Sequence, residues 1–292
     1  WINKLNEYGY CVIPNILSKN ECDDTIGKIW DWLESLETGI NRNDKNTWAP
    51  PNWPPSIHGI IQNLRVGHEQ FVWNVRTNKN VINVFRKIWK SDDLLVSFDG
   101  INITKPMEIT KYRNTNQWFH IDQSNRKKGR HCIQSLVNLE ESTEEDVCFS
   151  CFPNSHLFHE EMTKKFKIDT DVDWIKLSRD QLKWYEIEKK CFRKRIHVPK
   201  GAMLLWDSRT VHCNRHAIKK RLNPYFRYTI YICMTPRHFS NQDNLEKRKN
   251  AYNKMRMTTH WPHDIRLYPE RPKTYDKIIP NFKIRSELPI LN

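Results

Sequence analysis

From "LLVSFDGINIT" onward the chain changes texture, and this change limits the fold more than any other feature. Before it, apolar residues recur at helical spacing. After it they come in short runs bounded by polar or turn-forming residues, too short for helices and right for strands. We place strands at 94–104, 108–113, 117–122, 132–138, 146–152, 195–198, 202–206, 209–212 and 225–234, with helical insertions at 157–168 and 178–190. Helices first and many short strands afterwards predict a mainly β domain with flanking helices, a sandwich or small barrel buttressed by its N-terminal part.

That N-terminal part begins with a short helix or loop and a strand at "GYCVIP". Ser18 and Glu21 form a capping-box pattern, and Cys22, Ile26, Ile29, Trp30, Leu33 and Leu36 then repeat as one apolar stripe until Gly39. Residues 41–58 read as a proline-rich loop, and 68–90 as two helical stretches. Residues 240–258 read as a basic helix, and the rest of the tail wraps the surface. A chain of 292 residues buries one sizeable core. We therefore expect a single domain over 1–292, with a helical part at 1–92, a β core at 93–235 and a wrapping tail at 236–292.

No apolar run is long enough to span a bilayer. The eight cysteines show no disulfide framework and read as reduced thiols. With no secretory signal and no peroxisomal address in "LPILN", the expectation is a cytoplasmic protein. Trp1 is not a natural start.

Chemistry concentrates in "QWFHIDQS". On a strand, His120 and Asp122 project to the same side. Such a pair arises by chance on many surfaces, but it is also two-thirds of a 2-His-1-carboxylate triad, which grips Fe(II) from one face and leaves positions open for substrate and O2. The third ligand is expected in "VPKGAMLLWDSRTVHCNRH", where a jelly roll can bring His212 beside the pair; His216 is its nearest rival. The usual co-substrate of such iron sites is 2-oxoglutarate, whose far carboxylate needs a buried guanidinium. "YFRYTIYICM" offers Arg227 on one face with Thr229, Tyr231 and Cys233. Arg221, in "KKRLNP", is the alternative and reads as loop.

At this point the chain resembles the phytanoyl-CoA dioxygenase-like Fe(II)/2-oxoglutarate oxygenases. "LNEYGYCVIPNILSKNEC" is similar to the family's opening, "WFHIDQS" to its His-x-Asp motif, "SLVNLEESTEEDVCFSCFPNSHLFH" to its middle segment, and "VPKGAMLLWDSRTVH" to the approach to the distal histidine. Asn154 stands where the family's turn usually has Gly, and Asn also tolerates a left-handed backbone. The gap from His212 to Arg227 is longer than usual. The resemblance implies a double-stranded β-helix (jelly roll, cupin-like) core. It further implies that Asn102 and Ser135 touch the 2-oxoglutarate carboxylates.

Other patterns compete for the same residues. Cys148, Cys151, His156 and His159 have the look of a compact zinc site, but at spacing three the two cysteines of a strand face opposite ways. "RLNPYFR" is similar to the Arg-x5-Arg of AlkB-type demethylases, with the register unmatched. The net charge of +14 suggests a polyanionic partner, although heavy use of Lys, Asn and Ile also fits an AT-rich genome. Basic loops at 125–131 and 214–221 follow the His-x-Asp strand and His212, where they would suit a CoA thioester, a nucleotide or a nucleic-acid strand. The cluster at 189–195 reads as surface.

The expectation is therefore an Fe(II)- and 2-oxoglutarate-dependent dioxygenase, using O2 to hydroxylate an unidentified substrate with release of succinate and CO2. His120, Asp122 and His212 would bind iron. The carboxylate at 122 argues against halogenation, which leaves that position to halide. The alternative is a non-catalytic basic binding protein on the same fold, partnering nucleic acid.

Overall fold

The structure, a computed structural model, describes residues 1–110, 118–218, 221, 224–269, 283 and 287–290. The helices are α1 (Ile2–Tyr8), α2 (Lys19–Ser35), α3 (Gln70–Arg76), α4 (Lys79–Trp89), α5 (Met107–Thr110), α6 (His159–Lys165), α7 (Arg179–Ile187) and α8 (Gln242–Asn253). The strands are β1 (Tyr10–Ile13), β2 (Ile60–Ile61), β3 (Leu94–Val96), β4 (Ile101–Thr104), β5 (His120–Ile121), β6 (Ile133–Asn138), β7 (Cys148–Cys151), β8 (Ile175–Lys176), β9 (Lys194–Arg195), β10 (Met203–Asp207), β11 (His212–Arg215) and β12 (Arg227–Pro236).

They form two antiparallel sheets. The larger runs β1-β10-β6-β12-β4-β2, with β3 also on β12; the smaller runs β8-β5-β11-β7-β9. This is the jelly-roll core that the family resemblance implies, and it fits the sandwich expected from the short-strand pattern. The outer face of the larger sheet presents Ile133, Val137, Leu205, Ile230 and Ile232 to the stripe of α2, which buries Cys22, Ile29 and Leu33. Trp30 of α2 donates its Nε1–H to the Tyr228 hydroxyl at 3.0 Å. Leu136, Phe149, Cys151, Leu204 and Trp206 fill the space between the sheets. On the far side of the smaller sheet, Phe119, Ile121 and Cys213 pack on Met162, Trp184 and Tyr185 from α6 and α7.

Capping works as the sequence indicates. Ser18 accepts from Glu21 N and Glu21 answers at Ser18 N, so α2 starts where the pattern places it. The helix ends at Ser35, before Gly39. The turn containing Asn154 survives, with Asn154 left-handed at φ 69°.

Several strands differ from expectation. Residues 94–104 split into β3 and β4. Residues 107–110 are helical, not strand, because Pro106 opens a helical turn and its carbonyl accepts from Ile109 N. Residues 111–117 lie outside the described residues, and β5 is only two residues long. The strand expected at 209–212 instead begins at His212. There Asp207 accepts from Arg209 N at 3.0 Å, and Thr210 N donates to Asp207 O at 2.8 Å, which turns the chain before the histidine. Among the described residues, no helix is long and apolar enough to cross a membrane.

Candidate metal centre

His212 opens β11, directly across from His120 on β5 and from Cys151 on β7. Facing positions on antiparallel strands bring side chains together, and the two imidazole centroids lie 4.3 Å apart. Asp122 follows β5, its N–H donating to Ser208 O at 2.9 Å, so the 207–210 turn that delivers His212 also fixes the carboxylate.

Both imidazoles are oriented the same way. His120 Nδ1 lies 3.0 Å from Trp118 O, and His212 Nδ1 lies 2.9 Å from Thr210 O. A carbonyl can only accept, so each Nδ1 carries the proton and each Nε2 keeps its lone pair. Those two Nε2 atoms stand 3.4 and 3.3 Å from Asp122 Oδ2. The three donor atoms fall within 4.8 Å of one another, and among the described residues no other such group of three or more exists. His120, Asp122 and His212 are 4%, 6% and 5% exposed, so solvent does not compete for the donors.

Burial opposes the charge on Asp122. The neighbouring imidazoles of His120, His260 and His212 outweigh it, holding the carboxyl well below the usual range. Burial, then the neighbouring His120, pushes His212 down, toward the neutral form that binds metal.

The larger sheet supports this centre from the opposite side. Gln134 on β6 donates its Nε2–H to Asp122 Oδ2 at 2.9 Å. The sequence reading did not single out Gln134. Ser135 points the other way, among the helix-facing residues, and donates to Ile232 O at 2.6 Å. A strand inverts its faces at every residue, so Gln134 and Ser135 face opposite sides of the sheet. The structure does not bring Ser135 to the metal centre. Asn102 pairs with Thr229 across β4 and β12, but its amide is engaged: Nδ2 donates to His58 O at 3.1 Å and Oδ1 accepts from Thr104 at 2.7 Å.

The two candidate arginines differ in their partners. Arg221 is ion-paired with Glu108 at 2.8 Å and with Asp146. Arg227, 3% exposed at the start of β12, has no carboxylate partner among the described residues, and its Nη1 is buried without a hydrogen bond. Thr229 Oγ1, two residues along the same face, is also buried and unpartnered. Buried orphan donors are rare in folded chains, and this pair suits a carboxylate.

The zinc pattern does not converge. His156 Nε2 lies 3.0 Å from Asn6 O and His159 Nε2 lies 3.0 Å from Gln123 O, while burial raises the Cys148 and Cys151 thiols away from the thiolate form zinc needs. The described cations of the loop at 125–131 have acidic partners within the chain. Lys127 pairs with Asp173 and Asp264, Arg126 with Asp169, Lys128 with Glu160 and Arg130 with Asp207. In 214–221, Arg221 is engaged as described, and residues 219–220 lie outside the described residues.

Comparison with known proteins agrees with this geometry. The family model for phytanoyl-CoA dioxygenase matches residues 5–213, which contain the whole triad but not Arg227. The chain is 30% identical to Ava biosynthesis cluster protein O of Aspergillus versicolor over 271 residues, covering 90% of this chain and 86% of that one. Among solved structures it resembles EctD from S. alaskensis with bound Fe, at 13% identity and TM-score 0.54, covering 81% of this chain and 75% of that chain. It also resembles SnoK, a non-heme alpha-ketoglutarate-dependent carbocyclase from nogalamycin biosynthesis, at 16% identity and TM-score 0.52, covering 81% and 83%. These two likenesses show the fold. The 2-His-1-carboxylate triad is the Fe(II) and 2-oxoglutarate site of this enzyme class. With its motif order, its sheet topology and its three converging donors all in agreement, the chain belongs to the phytanoyl-CoA dioxygenase family.

Proposed function

We propose that this chain is a 2-oxoglutarate-dependent hydroxylase of a small organic molecule. His120, Asp122 and His212 would hold Fe(II), and Arg227 would clamp the far carboxylate of 2-oxoglutarate with help from Thr229. The observation that carries the reading is the pairing of two unmet needs in one interior. Two imidazole lone pairs and a carboxylate converge at one point, and Arg227 on the facing sheet has a buried Nη1 with no hydrogen-bond partner among the described residues. When bound, iron and 2-oxoglutarate supply the oxidising chemistry, with O2 consumed and succinate and CO2 released. The chain's own part is geometric. The Trp118 and Thr210 carbonyls fix the two tautomers, Gln134 holds the Asp122 oxygen, and the apolar residues between the sheets keep water from the interior.

A small-molecule substrate is supported by two further points. The relative in Aspergillus versicolor is named for a biosynthesis cluster. The basic loops at 125–131 and 214–221, which would have drawn a CoA thioester, a nucleotide or a nucleic acid, hold most of their described cations in internal ion pairs.

The direct test is Asp122→Ala. The variant is expected to lose Fe(II) binding and 2-oxoglutarate-dependent succinate formation while keeping its fold. Turnover at the wild-type rate would remove the assignment.

A further inference from the structure

The metal centre is braced by an aromatic stack. The indole of Trp118 lies on His120 with centroids 4.8 Å apart and planes 9° from parallel. His58 lies on the far face of the same indole at 4.6 Å and 6°. Three rings from two distant segments thus form one column that ends on a metal ligand. A centroid spacing near 4.8 Å corresponds to offset stacking, a favoured arrangement of aromatic pairs.

The indole's polar atom is not the reason for its presence. Trp118 Nε1 is buried without a hydrogen-bond partner. A phenyl or aliphatic side chain would avoid that desolvation cost, so the ring face is what the site uses. The outer ring is held in its turn. His58 sits at φ 52° in the left-handed region, and its carbonyl accepts from Asn102 Nδ2 at 3.1 Å. Asn102 thus braces the outer ring of the stack.

We propose that Trp118 is a positioning residue for metal binding, acting through the face of the His120 ring and separately from its own carbonyl. Two effects combine. The stack blocks rotation of His120 about its ring axis, so Nε2 stays aimed at the point shared with Asp122 and His212. In addition, an imidazole that gives its lone pair to a divalent ion becomes electron-poor, and the negative face of an indole attracts it, as it attracts cations. The bound state therefore gains more from the stack than the free state does. This rests on the metal reading of the triad, which Co(II) binding by the wild-type chain, and its loss in His120→Ala, tests separately.

The experiment compares Trp118→Phe with Trp118→Leu in the full chain. Both keep the backbone carbonyl that orients His120, and only the first keeps a ring. The readouts are the Co(II) dissociation constant, from competition with a chelator, and the visible absorption of the bound Co(II). Removing a group that orients a metal ligand typically weakens affinity about 10- to 100-fold. We expect Trp118→Leu to weaken Co(II) binding about tenfold and shift the absorption, and Trp118→Phe to stay within about threefold of wild type. Equal affinity in Leu and Phe variants, whether both high or both low, would overturn the proposal. If Trp118→Leu does not fold, His58→Leu takes its place, since it bares the indole's outer face. A loss of more than threefold would then support the stack, and an unchanged constant and spectrum would overturn it.

Discussion

Arg227→Met separates binding from stability, because it removes a buried Nη1 that has no hydrogen-bond partner among the described residues. In the ligand-free chain the Arg227 side chain is buried, lacks a carboxylate among the described residues, and leaves Nη1 without a partner. An unsatisfied buried donor costs about 1–3 kcal/mol, and more when charged. Methionine fills a similar length with no polar atom, so the ligand-free variant should unfold a few degrees higher than wild type. With 2-oxoglutarate the sign reverses. Charge-assisted hydrogen bonds to a carboxylate contribute about 1.5–3 kcal/mol each, and a fork-like pair offset by desolvation nets about 2–4 kcal/mol, or about 30- to 700-fold in affinity. The assay is calorimetric titration of 2-oxoglutarate into Mn(II)-loaded protein, with thermal unfolding in parallel. Arg221→Met is the control. It breaks ion pairs with Glu108 and Asp146, so it should lower the unfolding temperature and leave 2-oxoglutarate affinity nearly unchanged. If Arg227→Met binds 2-oxoglutarate within threefold of wild type, or if Arg221→Met is the variant that loses it, the clamp is assigned to the wrong residue.

Two other perturbations test the frame around the centre. At Gly9, φ is +75° and an added Cβ would stand 2.5 Å from His156 Nδ1 and 2.6 Å from Thr210 Oγ1. Gly9→Ala should cost at least about 1–3 kcal/mol and, because Thr210 O orients His212, weaken Co(II) binding too; unchanged unfolding and affinity would refute the link. Burial pushes His68 down to about 4. Its folded pKa is below the unfolded value near 6.5, so its contribution is full above that value and is lost as pH falls toward 4. The loss is at most about 3 kcal/mol. His68→Gln should flatten the pH dependence of metal-free unfolding between about pH 4 and 6.5, and a slope equal to wild type would contradict the assignment.

How much of this was legible beforehand depended on the range of the signal. The triad could be read because each part has a local mark. His120 and Asp122 share a face at spacing two, and His212 ends a recognisable turn-strand-turn segment. The helix α2 could be read because capping and stripe are both local. What the sequence does not mark is register. "CIQSLVN" contains apolar residues on both faces, since the larger sheet is covered by helices on one side and by the smaller sheet on the other. Alternation then carries no direction, and nothing in the sequence marks Gln134 as the side chain that reaches Asp122. The strand expected at 209–212 failed for a related reason. There the side chain of Asp207 and the hydroxyl of Ser155 take the N–H groups of Arg209 and Val211. The stack of His58, Trp118 and His120 joins residues about sixty positions apart, and a single sequence shows nothing of that pairing.

The same long-range logic bears on the strong positive charge. An excess of 14 basic residues reads as a surface waiting for a polyanion. Around the metal centre, however, cations serve as internal clamps. Lys127 lies over Trp261 at 4.2 Å while pairing with Asp173, whose other oxygen accepts from Ser124 N just past the ligand pair. Arg130 and Arg209 both reach Asp207, the residue that starts the turn into His212. Burial disfavours the Asp207 charge, yet the Arg209 contacts overcome it and hold the carboxyl below its usual value. Such pairs are poor sources of net stability, because desolvation cancels much of the attraction. They are good at fixing geometry, and they converge on the two short segments that carry the ligands. In a site built from a two-residue strand and the first residue of another, regular hydrogen-bond ladders cannot provide that rigidity. Buried ion pairs and stacked rings provide it instead.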